Sequence, residues 1–260
     1  MKALARVGGY ELYAVSHSSF IEASFFAKIA SASLETVHEA DIIFVCNEMS
    51  KTLETLDALE NIVRPDAIVC DVASLKSFVV TERPYKFIGT HPMAGSEKSG
   101  FDASCADLFG GAKWVITEHN DTLETLITQM GATPVLMNPT EHDFAAAQIS
   151  HMPMFLAFGL CRAIQNNPLA QTLASSGFRD TTRLALTNST LAADMLNLNA
   201  QNIDRALGLL IGELTNLKNL SYSEKIKALE AISENRKNLY DDNGKNCVSR
   251  CEATLQGDEP

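Results

Sequence analysis

Apolar residues in the first half of the chain fall in short, nearly unbroken runs separated by longer stretches with a single apolar face. The runs are Leu12-Tyr13-Ala14-Val15, Ile42-Ile43-Phe44-Val45-Cys46, Ala67-Ile68-Val69-Cys70-Asp71-Val72, Phe87-Ile88-Gly89, Trp114-Val115-Ile116 and Pro134-Val135-Leu136-Met137. Runs of this length without alternation predict strands buried on both faces, as in a parallel sheet covered by helices. Helical patterns at 49–62 and 122–130 lie between them. Strand and helix therefore alternate as in a doubly wound α/β domain, here spanning 1–140.

Beyond residue 141 the strand-like runs stop and apolar residues recur three and four apart, which predicts an all-α domain over 141–240. Ile203, Leu207, Leu210, Leu214 and Leu217 step along one helix face. A seam that narrow suits a partner helix, and packing inside its own domain explains it as well. Another helix is predicted at 223–240. The polar, aperiodic segment 241–260 reads as a flexible tail.

Composition adds exclusions. The 260 residues are 46% hydrophobic and 20% charged, an ordinary globular balance. Lys and Arg number 21 against 32 Asp and Glu, giving a net charge of −11, which argues against nucleic-acid partners. No apolar run approaches the roughly 20 residues that cross a bilayer, and no apolar segment follows Met1 as in a secretion signal, so the expectation is a cytoplasmic protein without a membrane partner. The six cysteines (Cys46, Cys70, Cys105, Cys161, Cys247, Cys251) show no paired framework and read as reduced thiols. Cys247 and Cys251, without His or further Cys nearby, make a poor metal site, and no metal is expected.

Three segments carry polar residues that packing does not demand. Cys70-Asp71-Val72-Ala73-Ser74-Leu75-Lys76-Ser77 follows a buried strand, where open α/β sheets bind ligands, although Ser and Asp there also suit a helix N-cap. Gly89-Thr90-His91-Pro92-Met93-Ala94-Gly95-Ser96-Glu97-Lys98-Ser99-Gly100 ends a strand in a histidine beside a Gly-rich loop. A histidine so placed can titrate near neutrality and reach a substrate, or simply be a satisfied structural residue. The third is split between Gln148-Ile149-Ser150-His151-Met152-Pro153 and Ser175-Ser176-Gly177-Phe178-Arg179-Asp180-Thr181-Thr182-Arg183. Its arginines form either a fork for a carboxylate or a solvated ion pair at a helix start.

Taken in order, Asp-Val-x-Ser-x-Lys, Gly-x-His-Pro-Met-Ala-Gly-x-Glu-x-x-Gly, Ser-His-x-Pro and Phe-Arg-Asp-x-Thr-Arg resemble the prephenate and arogenate dehydrogenase family of tyrosine biosynthesis, from about residue 10 to 240. The resemblance implies an α/β Rossmann-like domain followed by an all-α dimerisation domain, a homodimer, and an active cleft between the domains. It implies NAD(P)-dependent oxidative decarboxylation of prephenate to 4-hydroxyphenylpyruvate, or of arogenate to tyrosine, with NAD slightly ahead of NADP. By that resemblance His91 is the base on the ring hydroxyl and Ser74 hydrogen-bonds the same region. Arg183 holds a substrate carboxylate. Ser96, Glu97, Ser150, His151 and Asp180 belong to the substrate site, Asp143 orients the network, and Ser16, Asn47 and Ser74 approach the cofactor.

The sequence departs from the family pattern in places. The opening strand and Gly-x-Gly-x-x-Gly turn are not found ahead of Tyr10, so the expectation is a start downstream of the true one, with a non-catalytic dimer that binds an aromatic metabolite as the alternative. The strand end Val15-Ser16-His17-Ser18-Ser19 carries neither an acid nor an Arg to choose between NAD and NADP. Met154 stands where the family has a second His, Ala192 lies near the place of a family Trp, and Ser176 replaces a family Gly. A related dehydrogenase of the β-hydroxyacid or imine-reducing type is the weaker rival, because such proteins use a catalytic Lys in the helical half.

Overall fold

In the computed structural model, which describes residues 1–95, 100, 101 and 103–241, the described chain forms two compact units, one over 1–139 and one over 140–241. The first opens with α1 (Lys2–Val7) and β1 (Tyr13–Val15), then α2 (Phe20–Ala23) and β2 (Ile29–Ser31), which pairs parallel with β1. Next come β3 (Ile42–Val45), α3 (Met49–Leu59), β4 (Ile68–Asp71) and β5 (Lys86–Ile88), and the three strands form a parallel sheet in that order. β6 (Thr90–Pro92), β7 (Lys113–Ile116), α4 (Asp121–Gln129) and β8 (Thr133–Leu136) complete the unit. β6, a strand the apolar runs do not predict, pairs antiparallel with β7, while β7 and β8 are parallel.

The near-continuous apolar runs have the predicted consequence, since alternate residues of a strand face opposite sides of the sheet. Cys70 and Ile88 join Trp114, Ile116, Leu123, Ile127 and Ala3 in one core, with Ile42, Phe44 and Ile68 packed against it. Ile43, Val45 and Val69 face the other way onto Leu56, Leu59, Val79 and Tyr85. Both cores are lined by fully buried leucines, each contributing about 1.5–3 kcal/mol by burial. α4 starts cleanly because the Asn120 side chain accepts from the Leu123 N–H at 2.9 Å.

The second unit is helical: α5 (Pro139–Ala146), a π-helical turn (Ala147–His151), α6 (Met152–Ala163), α7 (Pro168–Thr172), α8 (Ser176–Thr181), a 3₁₀ turn (Arg183–Leu186), α9 (Ser189–Leu198), α10 (Ala200–Asn219) and α11 (Tyr222–Asp241). The π turn has a cause in the sequence. Pro153 lacks an N–H and its ring crowds the carbonyl four residues back, so the helix takes in one extra residue and Met152 N–H bonds Ala147 O. Ala147, Ile203 and Ala206 form the buried contact between this turn and α10, with Met152, Phe155 and Leu207 around them.

Only the start of the Ile203–Leu217 seam is used inside the unit: Ile203 is buried, whereas Leu214 is 50% exposed. α11 presents Ile226, Leu229 and Ile232 to the surface as well. Among the described residues the continuous helix Pro139–Ala163 is long and apolar enough to cross a membrane by length and composition. Scanning for unbroken runs passed over it because Glu141, His142, Asp143 and His151 interrupt the pattern; three of these four are buried. Among the described residues Cys46, Cys70 and Cys161 are free thiols, but the thiol reading is corrected at Cys105, which is disulfide-bonded; Cys247 and Cys251 lie outside the described residues.

Candidate functional site

Ser16, Asn47 and Ser74 each follow a parallel strand, β1, β3 and β4, at its carboxyl end, which is where open α/β sheets take ligands. Each also shapes its turn. Ser16 N–H extends the ladder to Ser31 O at 2.9 Å, and its hydroxyl accepts from Ser19 N–H at 3.1 Å. The Asn47 amide donates to Thr55 Oγ1 at 2.6 Å and Lys51 O at 3.1 Å, and its oxygen accepts from Thr52 Oγ1 at 3.1 Å, which fastens the β3 end to α3. The segment carrying Ser74 begins no regular helix, so the N-cap reading of Asp71 and Ser74 is set aside.

Beneath Ser74 lies a wholly buried ion pair. Asp71 and Lys76 are both 0% exposed, and the Lys76 ammonium donates to an Asp71 carboxylate oxygen. The same carboxylate accepts the N–H groups of Ala73 at 2.9 Å and Thr90 at 3.0 Å. Lys76 Nζ also donates to Thr90 O at 2.6 Å, and Thr90 Oγ1 donates to Asp71 O at 2.5 Å. Burial pushes the Asp71 carboxyl up, opposed by the adjacent ammonium and the two N–H groups. Sequence reading placed Asp71 and Lys76 in a motif without a task and passed over Thr90. The signal available was a Lys five residues after an Asp at the end of an apolar strand.

His91 follows Thr90 in β6, half-buried and paired with Val115 across the antiparallel ladder. The change from β5 to β6 occupies only Gly89. A Cβ there would lie 3.1 Å from Val80 Cγ2 and 3.2 Å from Thr117, closer than side chains normally pack. Ser96 and Glu97 lie outside the described residues. Past them, Lys2 of α1 donates to Phe101 O at 3.3 Å and Ser104 O at 2.9 Å, with its ammonium 4.7 Å from the Phe101 ring centre.

The second unit has its own polar centre. His142 Nδ1 and Asp143 Oδ1 are 2.8 Å apart, both buried. Asn199 Nδ2 donates to Asp143 O at 2.9 Å and approaches His151 Nδ1 at 3.4 Å. That contact puts the ring proton on Nε2, which is buried without a hydrogen-bond partner. Burial holds the His151 ring down to about 4, with Asp143 opposing and His142 adding, so the imidazole is neutral. At 1% exposure His151 stands inside the unit, behind the π turn. Its neighbour Ser150 is exposed on the same turn.

Asp180 pairs with Arg179 at 3.1 Å on α8, and both are largely exposed, so these two form the solvated pair rather than a fork. Arg183 is exposed at the head of the 3₁₀ turn, which packs against α6. Among the described residues no cluster of His, Cys, Asp and Glu suits a metal ion.

Known proteins fit this architecture. The chain is 36% identical over 170 residues to the prephenate dehydrogenase of Lactococcus lactis, covering 61% of this chain and 48% of that protein. It is 32% identical over 192 residues to that of Bacillus subtilis, covering 67% and 52% respectively. The chain thus spans about half the length of these two relatives. The crystal structure of Synechocystis arogenate dehydrogenase superposes with a TM-score of 0.79 at 30% identity, covering 92% of this chain and 95% of that one. Residues 14–132 match the nucleotide-binding domain of prephenate dehydrogenase and residues 138–234 match its dimerization domain. With both domains matched in order along most of its length, the chain belongs to the prephenate dehydrogenase family.

Proposed function

We propose that the protein is a dehydrogenase that oxidises prephenate or arogenate with loss of CO₂. The observation that carries this reading is His91, held half-buried in β6 next to a residue whose polar groups are taken by Asp71 and Lys76. The polar ends of β1, β3 and β4 suit the hydroxyls of a dinucleotide, with Ser16, Asn47 and Ser74 as the residues that would hold it. Bound NAD or NADP supplies the hydride acceptor.

His91 takes the proton of the ring 4-hydroxyl as general base, and Ser74 hydrogen-bonds the same oxygen and fixes its direction. As the hydroxyl-bearing carbon is oxidised, the bond to the ring carboxylate breaks, CO₂ leaves and its electron pair completes the aromatic ring. Arg183 holds a substrate carboxylate through its planar fork, a task a lysine performs less directionally. Ser96, Glu97 and Ser150 contribute polar contacts to the substrate. His151 acts behind Ser150, and Asp180 tempers the charge around Arg183. Asp143 holds His142 and so steadies the turn bearing Ser150.

The exposed apolar residues of α10 and α11 support a homodimer, because a second copy would cover them at little polar cost. Incubating the protein with prephenate and with arogenate, each with NAD and with NADP, tests the reaction. Formation of reduced dinucleotide together with CO₂ is expected for at least one substrate, and its absence for both sinks the reading.

A further inference from the structure

Lys76 is the largest fully buried side chain among the described residues, and no step above uses it. A lysine ammonium leaves water at a large desolvation cost unless a partner and further hydrogen bonds compensate. Here the compensation converges on one residue. Lys76 takes Thr90 O at 2.6 Å, Asp71 takes Thr90 N–H at 3.0 Å, and the Thr90 hydroxyl closes the ring on Asp71 O at 2.5 Å. All three polar groups of Thr90 are held by residues of the Asp-Val-x-Ser-x-Lys segment.

The place explains the need. At Gly89 the chain leaves the β4 ladder and joins β7, so backbone groups just beyond it lose the partners that a continuing strand would give them. Asp71 and Lys76 supply those partners from side chains. Two apolar side chains of similar volume would fill the space without burying a charge. They would offer nothing to the Thr90 peptide groups. Thr90 O belongs to the peptide plane that carries His91 N, so Lys76 sets the plane from which His91 departs. Asp71 likewise sets the Ala73 N–H, one residue before Ser74.

We infer that the buried Asp71–Lys76 pair is a positioning device for the site, fixing the backbone that aims His91 and Ser74 together. This rests on His91 being the base of the proposed reaction. Cys70, the buried titratable group beside Asp71, has its thiol pushed up by burial and stays uncharged, so it adds no competing charge.

Lys76→Met and Asp71→Asn in the full chain test the inference through three readouts: kcat and KM, dinucleotide affinity by calorimetry, and the pH titration of the His91 ring by NMR, assigned with His91→Gln. In both variants kcat is expected to fall about 100-fold while KM stays within about threefold, and dinucleotide affinity, which Ser74 serves, falls by less than kcat does. Losing the cation lets the His91 ring keep its proton to higher pH in Lys76→Met, and losing the anion moves the midpoint down in Asp71→Asn, each by about half a unit to one unit. A purely structural role lowers the melting temperature and leaves kcat in place. Superimposable titrations, or an unchanged kcat, overturn the inference. Should Lys76→Met not fold, Asp71→Asn decides by the same criteria. Should the unaltered protein turn over neither substrate, the proposed reaction fails by itself and the two His91 titrations still decide.

Discussion

Asp71–Lys76 and Arg179–Asp180 are the same chemistry, a carboxylate beside a cation near it in sequence, in opposite surroundings. The first pair is fully buried at a strand end; the second stands at 78% and 69% side-chain exposure on a short helix. On α8 water solvates each charge with or without its partner, so the pair adds little. At the end of β4 each charge is tolerable only because the other is there, and because Thr90 and Ala73 use the remaining bonding capacity. Burial, more than the identity of the pair, decides what an ion pair does for a fold. The second unit offers a third solution: His151 is as buried as Lys76 but gives up its charge, which burial disfavours.

The sharpest break in this comparison is Lys76→Met, which leaves Asp71 uncompensated and should cost about 3–5 kcal/mol in urea unfolding. Asp71→Leu/Lys76→Met, with no buried charge left, should lose less than the single variant even though it restores no activity. A double variant as unstable as the single would show that bonding to Thr90, and not charge compensation, dominates. His151 gives the next effect, through pH. Its folded ring is held at about 4 while the unfolded ring protonates near 6.5, so the folded state is disfavoured as the pH falls. The stability is intact above about pH 6.5 and is lost toward pH 4, roughly 2 kcal/mol of it between pH 7 and 5. His151→Gln should flatten that loss, which urea midpoints at the two pH values would reveal.

A neutral buried bond lies between these extremes. Tyr85 OH donates to Leu56 O at 2.7 Å, and Tyr85→Phe should cost about 1 kcal/mol by thermal melting. Burial, opposed by Arg83, pushes the Tyr85 hydroxyl up to about 12, so this cost should not vary across neutral pH. Asp180→Asn marks the bottom of the scale, with a stability change below about 0.5 kcal/mol. A larger change there would mean that α8 depends on its surface pair.

Much of the fold was legible because its signal is local. Each apolar run of strand length contains a strand, and the two cores follow from alternate residues of those runs. β2 was missed because Ile29–Ser31 is three residues long and only partly covered, which leaves no buried run to detect. β6 was missed because the change of sheet takes one glycine, while the apolar pattern of 87–89 runs straight into Thr90 and His91. The candidate site was legible only as an inventory of residue types that could carry the chemistry. Its organisation was not: that Lys76 reaches Thr90 depends on a loop residue meeting a strand residue 14 positions later, and no spacing reports that. The Ile203–Leu217 periodicity likewise identified a helix face without telling where its own unit stops covering it.

The extra residue in the π turn makes the helix a phase shifter. One residue corresponds to about 100° of rotation about a helix axis. Removing exposed Ile149 or Ser150 would swing α6 round against α5 by that angle while leaving Ala147 and His151, which meet α10 and Asn199, in the chain. The same composition would then present a different stripe to α10. In comparing this chain with its relatives, a one-residue gap at this turn is therefore a change of face, with consequences larger than most substitutions on the helix itself.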